Sequence, residues 1–192
     1  MADAAGNSLL SARTNGPIEV VAVFTPPVVG GGSSTDPGDW IPLFQLPDGT
    51  DCYVQPVPTS IAVGPDGAYY VGELTGFPAT PGLSRVWRID PGARNVSCPS
   101  VACQVVVSGL TSVIDVEFGP DGGLYVVEYD AKGWLAGLGS PGDGTVKRCD
   151  VGSGDCSVVA DGLVLPGAIT FDTSGTAWIV ENTFAPTVRT LP

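Results

Sequence analysis

Short apolar runs alternate with glycine- and proline-rich turns along most of the chain. The pattern is clearest in three stretches that resemble one another: SIAVGPDGAYYVGEL (60–74), DVEFGPDGGLYVVEY (115–129) and AITFDTSGTAWIVEN (168–182). Valine-rich runs bounded by glycine and proline predict β-strands. The chain is therefore expected to be all-β and to be built from a repeated unit.

The repeated unit extends beyond these paired strands. Aligned on the turn glycines Gly67, Gly122 and Gly175, the repeats are 55 and 53 residues apart. The GPDG segment predicts a tight turn between the first two strands, in which glycine takes a positive φ. A third run follows in each unit (RVWRID, TVKRCD, TVRTLP), and a fourth follows in the first two (CQVVVSGL, CSVVADGL). Four short strands per repeat of about 50 residues are typical of a β-propeller blade.

The blade pattern predicts one partial β-propeller domain. Complete blades are expected at 58–110 and 111–163, and incomplete ones at 1–24 and 164–192. The segment 25–57 is expected to be an inserted loop. A closed propeller has typically four to eight blades. The open ends therefore predict either the C-terminal portion of a longer protein or self-association of copies to close the ring.

Composition narrows the classes of function. A formal charge of −12 with a pI near 4.1 disfavours nucleic acid as a partner, because phosphate binding depends on clustered cations. The chain contains no histidine, which removes the commonest catalytic base and metal ligand. An enzyme built from this chain would have to use carboxylates or a bound metal. The sequence has no apolar run long enough to predict a membrane span.

Five cysteines are present. Cys149 and Cys156 bracket a turn-rich stretch, and Cys98 and Cys103 occupy the equivalent place one repeat earlier, which favours two local disulfides. Disulfides persist mainly in oxidising compartments, so an extracellular or periplasmic location is predicted, although the first residues show no secretory signal. A zinc site with cysteine or carboxylate ligands is the alternative. Cys52 is left free or pairs outside the chain.

Three segments resemble the ScyD/ScyE family of secreted β-propeller proteins: PTSIAVGPDGAYYVGELTGFPATPGLSRVWRIDPG, VIDVEFGPDGGLYVVEYDAKG and DGLVLPGAIT. The resemblance covers nearly the whole chain and is most specific at VGELTGFP. It implies an NHL-like six-bladed propeller, normally exported, with a signal peptide and the first blades upstream of these residues. It supplies no catalytic residues, because the family has no established molecular activity.

A carboxylate recurs at the end of each second strand, at Asp3, Glu73, Glu128 and Glu181. In a radial arrangement of blades these groups would lie at one end of the domain, where converging oxygen ligands could hold calcium. The alternative is structural. Repetition places the same carboxylate in every blade, where it accepts hydrogen bonds from a neighbouring backbone or an arginine.

Asp115 is the one polar interruption in an apolar innermost strand and is the candidate for a group facing the central channel. Six-bladed lactonases hold a catalytic calcium with asparagine and aspartate at the starts of innermost strands. The corresponding stretches here are PTSI, VIDV and PGAI, in which only Asp115 offers a carboxylate. That ligand set is not reproduced, and a structural role for Asp115 is the alternative.

Two long loops, 75–84 and 130–144, carry apolar side chains among glycines. Loops at one rim concentrate function, and clusters of exposed apolar side chains mark contact sites. The alternative is that the loops fold back and bury these side chains against the blades. The candidate binding residues are Phe77, Trp134, Leu135 and Leu138.

These observations favour a non-enzymatic binding or scaffolding propeller whose partner is a small molecule or protein at the loop face. No cofactor and no catalytic residue is predicted, with calcium kept as an alternative. A calcium-dependent lactonase-like or hydrolase-like propeller is the second hypothesis. A structural propeller that mainly contacts copies of itself is the third.

Overall fold

The computed structural model describes residues 1–28, 32–33, 36–77, 79–133 and 142–191. Within these ranges the chain forms β-strands and one 3₁₀ turn at Pro37–Asp39, which confirms the all-β prediction. None of the described segments is a helix long and apolar enough to cross a membrane. The strands are β1 (Ala2–Asp3), β2 (Ser8–Ala12), β3 (Ile18–Phe24), β4 (Pro42–Gln45), β5 (Asp51–Tyr53), β6 (Pro56–Val63), β7 (Tyr69–Thr75), β8 (Ser84–Ile89), β9 (Val96–Cys98), β10 (Cys103–Leu110), β11 (Val113–Phe118), β12 (Leu124–Glu128), β13 (Gly144–Cys149), β14 (Cys156–Leu163), β15 (Ala168–Phe171), β16 (Ala177–Glu181) and β17 (Thr187–Thr190).

Two four-stranded antiparallel sheets form the centre of the molecule. The second sheet has the strand order β6-β7-β8-β10 and the third has β11-β12-β13-β14, while β15-β16-β17 form a three-stranded fourth sheet. The turn between the first two strands of each sheet holds a glycine at positive φ: Gly67 at 76°, Gly122 at 75° and Gly175 at 87°. A side chain would strain the backbone there, so the repeat requires glycine at this position.

The first sheet differs from the others because a strand from the next repeat completes it. β1, β2 and β3 are antiparallel, and β9 adds to the edge of β3 in parallel. Thr25 Oγ1 also donates to the Cys98 carbonyl at 2.8 Å. Cys98 is disulfide-bonded to Cys103 at the start of β10, so the bridge ties this added strand to the second sheet.

The second half of the segment 25–57 forms strands where a loop was predicted. β4 and β5 form an antiparallel hairpin whose turn contains Gly49 at a φ of 88°. Trp40 packs edge-on against Tyr53, with 5.3 Å between the ring centroids. The prediction missed the hairpin because its strands are only four and three residues long. Its turn sequence, LPDGTD, nonetheless carries the same Pro-Asp-Gly signal as the blade turns.

The core lies in layers between consecutive sheets. Buried residues of the second sheet, such as Tyr70 and Val86, pack with Val113 and Leu124 of the third. Equivalent aromatic contacts recur from one layer to the next: Tyr70 meets Phe118 edge-on, and Tyr125 meets Phe171 edge-on, each with 4.8 Å between ring centroids. Repeated face-to-face packing of four-stranded sheets is the arrangement of blades in a β-propeller.

Candidate functional site

The four repeated carboxylates lie at equivalent ends of their sheets, but the structure does not bring them together. Within the described ranges, no three side chains of the types His, Cys, Asp and Glu are close enough to hold one metal ion. Asp3 accepts instead from the backbone N–H of Gly6 at 3.2 Å and from the Ser8 hydroxyl at 3.4 Å. Each glutamate likewise has partners near its own sheet.

Glu73 is fully buried and is held by two side chains of β8. The Arg85 guanidinium donates to both carboxylate oxygens, at 2.8 and 3.0 Å, and the indole N–H of Trp87 donates to one of them. Arg85 also donates to the Thr25 carbonyl at 3.0 Å and lies 4.6 Å from the Trp87 ring centroid. Burial raises the pKa of Glu73, although Arg85 and Trp87 counteract the rise.

Glu128 and Glu181 each accept from a backbone N–H 17 residues earlier in the chain. Thr111 donates to Glu128 at 2.7 Å, and Val164 donates to Glu181 at 2.9 Å. These N–H groups lie in the connection that leads from one sheet to the next. The equivalent residue for Glu73 is Pro56, which has no N–H to donate. In the second sheet, Trp87 therefore supplies a donor that the backbone cannot.

A cation completes each of the other two glutamate sites. Lys147 Nζ lies 2.9 Å from Glu128, and Arg189 Nε donates to Glu181. Burial alone would raise the pKa of Glu181, but the hydrogen bonds from Arg189 and Val164 outweigh it and lower that pKa. The contacts of all three glutamates are of the kind that the structural alternative predicts.

Asp115 joins the first strands of three consecutive sheets. Its Oδ1 accepts from the Ser60 hydroxyl on β6, and its Oδ2 accepts from the Ile169 N–H on β15 at 2.8 Å. Ser60 occupies the position of Asp115 in the preceding repeat, so these hydrogen bonds link similar positions of neighbouring sheets. Burial raises the pKa of Asp115 against the opposing effect of these hydrogen bonds. Both oxygens of this predicted channel-facing residue are thus engaged between sheets.

Phe77 lies in an open groove at the rim of the second sheet. The groove has a volume of about 390 Å³ and lies between the β4–β5 hairpin and the loop after β7, where Phe44, Cys52 and Tyr53 also line it. Phe77 is 57% exposed and Phe44 is 52% exposed. Sequence reasoning missed Phe44 and Tyr53 because they belong to the segment taken as a loop. The other predicted loop residues, Trp134, Leu135 and Leu138, lie outside the described residues.

Both predicted disulfides are confirmed. Cys98 is bonded to Cys103, and Cys149 is bonded to Cys156. These four sulfurs are therefore not zinc ligands, which removes that alternative for them. Cys52 is the free cysteine and borders the rim groove.

No family model matches the chain, and no curated protein matches it. Among solved structures, it is similar to the PQQ-bound form of aldose sugar dehydrogenase from Streptomyces coelicolor, with a TM-score of 0.62 and 13% identity over 99% of this chain and 55% of the other. It is also similar to a putative gluconolactonase (TM-score 0.46, 13% identity, covering 79% of this chain and 52% of that one). A third similar structure is that of streptogramin B lyase (TM-score 0.45, 14% identity, covering 97% of this chain and 62% of that one).

The fold is therefore all-β and similar to that of six-bladed β-propellers. The chain spans between about half and three fifths of the length of the structures that it matches. At such low identity the likeness concerns the fold alone. Because propellers serve unrelated functions, activity has to be argued from the residues of this chain.

Proposed function

We propose that the chain is a non-enzymatic binding or scaffolding β-propeller of the ScyD/ScyE type that acts outside the cytoplasm. The sequence resemblance supports the family. The two disulfides support a location outside the cytoplasm, since such bonds persist mainly where the environment is oxidising. The binding site that we propose is the rim groove beside the β4–β5 hairpin.

The observation that carries this proposal is the pair of exposed phenyl rings in the groove. Phe44 and Phe77 both expose more than half of their surface although they lie in one concavity with Tyr53. Exposed apolar side chains that converge in a concavity mark binding sites, and a volume of about 390 Å³ is in the range of small-molecule pockets. Asp51 adds a carboxylate to the lining.

The chemistry of the groove indicates a neutral or cationic ligand with an aromatic or apolar group. The rings of Phe44 and Phe77 would cover the apolar part of such a ligand, and aromatic faces also attract cations. Asp51 and the overall charge of −12 oppose the binding of anions.

The repeated carboxylates support a role without metal chemistry. Glu73, Glu128 and Glu181 each have a cation within their own sheet, and those ion pairs supply the charge balance that a calcium ion would otherwise provide. The lactonase-like hypothesis stays a prediction, because no contact of these residues favours it over the binding role.

A fluorescence titration with Nile red, a neutral apolar dye, tests the groove. We expect the chain to bind the dye and expect Phe77→Ala or Phe44→Ala to weaken binding about tenfold, because each removes a large apolar surface from the site. Phe184→Ala is the matched control, since Phe184 is a 78% exposed phenyl ring in the turn between β16 and β17. Equal weakening by all three variants, or by none, would contradict the proposed site.

A further inference from the structure

Five buried side-chain oxygens find no hydrogen-bond partner within the part of the chain that the structure describes. They belong to residues at the end of β7, at the start of β8, just before β11, just after β12 and just before β13. Buried polar atoms left unpaired cost stability, and native proteins usually satisfy them with ordered water or an ion. The atoms are Thr75 Oγ1, Ser84 Oγ, Ser112 Oγ, Asp130 Oδ2 and Asp143 Oδ2.

The two carboxylates of this group, Asp130 and Asp143, are neighbours. The N–H of Ala131 donates to the Asp143 carbonyl at 2.9 Å, which joins the two ends of the loop. Each carboxylate has one engaged oxygen, because Asp130 Oδ1 accepts from the Lys132 N–H at 2.8 Å and Asp143 Oδ1 meets Lys132 Nζ at 2.8 Å. Asp130 is only 1% exposed. A carboxylate oxygen can only accept, so each remaining oxygen requires a donor or a cation.

The charges around the pair leave a local excess of negative charge. Burial raises the pKa of Asp130, and the nearby charge of Asp143 adds to the rise. Lys132 is the one cation in contact with the pair among the described residues, and its side chain is 67% exposed. An open cavity of about 400 Å³ is lined by Asp143 and by a third carboxylate, Asp161. The cavity gives a cation from solvent a route to Asp143, which neighbours Asp130.

The pair does not belong to the repeated scaffold. Two residues after the repeated glutamate, the other sheets carry Thr75 and Thr183 where the third sheet carries Asp130. By the pairing of the second and third strands, Asp143 has Leu83 as its counterpart in the second sheet. A blade of this type therefore forms without either carboxylate. The two aspartates must serve a purpose that is specific to the third sheet.

We propose that Asp130 and Asp143 bind a calcium ion through their unpaired oxygens. Calcium accepts six to eight oxygen ligands in irregular geometry, so waters and neighbouring backbone or hydroxyl oxygens can complete its shell, whereas magnesium requires a near-ideal octahedron. A calcium site with two carboxylate ligands corresponds to the weak sites of extracellular modules, whose dissociation constants for calcium are on the order of 0.1–1 mM. This site is separate from the rim groove and does not depend on it.

Calorimetric titration of the whole chain with CaCl₂, after dialysis against a chelator, tests the proposal. We expect binding in this range for the unchanged chain and at least tenfold weaker binding for Asp130→Asn and for Asp143→Asn, which keep the side-chain shape. Lys132→Met should bind calcium several-fold more tightly, because it removes a competing cation. MgCl₂ should bind at least tenfold more weakly than CaCl₂.

The control variant is Asp155→Asn, which neutralises an exposed carboxylate in the turn between β13 and β14 and should leave the affinity unchanged. Circular dichroism should show the same spectrum for all variants. A chain that binds no calcium would overturn the proposal, as would binding that persists when both Asp130 and Asp143 are replaced by asparagine. Absence of calcium binding together with higher stability of Asp130→Asn would instead indicate a proton shared by the two carboxylates.

Discussion

Replacing Arg85 with methionine is the sharpest test of how the repeated glutamates hold the blades together. The change keeps much of the side-chain volume but removes the guanidinium. Among the described residues, Trp87 then remains as the hydrogen-bond donor to Glu73. The Glu73 side chain is 1% exposed and that of Arg85 is 15% exposed, so water cannot replace the lost charge. Breaking a buried ion pair by removing one partner costs about 3–5 kcal/mol. Losing the contact between Arg85 and the Trp87 ring adds to that cost.

Urea unfolding followed by tryptophan fluorescence measures this loss, with Trp87 as a reporter beside the site. Arg88→Met is the matched control, because Arg88 pairs with Asp66 at 2.8 Å while both side chains are more than a third exposed. Such exposed ion pairs contribute about 0.2–1 kcal/mol to the free energy of unfolding. The double variant Glu73→Gln/Arg85→Met should recover much of the stability, since it leaves no buried charge unpaired.

The effect should depend on pH in a defined direction. Because burial raises the pKa of Glu73, this side chain binds more protons in the folded chain than in the unfolded chain at pH values above the ordinary glutamate value of about 4.5. The contribution of Glu73 to stability therefore falls as pH rises through this window. Without Arg85 the pKa rises further, so the loss in Arg85→Met should be small near pH 4 and largest at neutral pH. A loss equal to that of Arg88→Met, or independent of pH, would refute the reasoning.

Two further predictions concern the joints between sheets. Gly72→Ala should cost about 1–3 kcal/mol in urea unfolding, because its Cβ would lie 2.9 Å from a methyl carbon of buried Val113. Gly92→Ala, with nothing within 4 Å of the added carbon, should be neutral, and equal effects would argue against tight packing between the sheets. Replacing Cys98 and Cys103 by alanine should cost about 2 kcal/mol. It should also speed hydrogen exchange in β9, whereas unchanged exchange there would show that the bridge does not hold that strand.

The blade strands and their turns could be predicted from sequence because their signals are local. A valine-rich run needs only its own residues to predict a strand, and the positive φ of Gly67 and Gly122 follows from a four-residue turn motif. The disulfide between Cys149 and Cys156 was predictable for the same reason, since it closes a single hairpin between β13 and β14.

Contacts between distant segments could not be predicted in this way. β9 pairs in parallel with β3, more than 70 residues earlier, and nothing in the sequence of either strand specifies that partner. The partners of Asp115 on β6 and β15 depend equally on how the sheets are stacked. The short β4–β5 hairpin was missed for another reason, because runs of three and four residues fall below the length at which alternation can be recognised.

The contacts of the repeated glutamates are ones that any copy of the repeat can form. A glutamate at the end of each second strand contacts the third strand of its own sheet, and in Glu128 and Glu181 also the connection from the preceding sheet. The contact with the third strand recurs in three sheets, so the glutamate position alone does not indicate a ligand. Specific function is better sought where one blade departs from the others. The aromatic groove at Phe77 and the unpaired carboxylates at Asp130 and Asp143 are such departures.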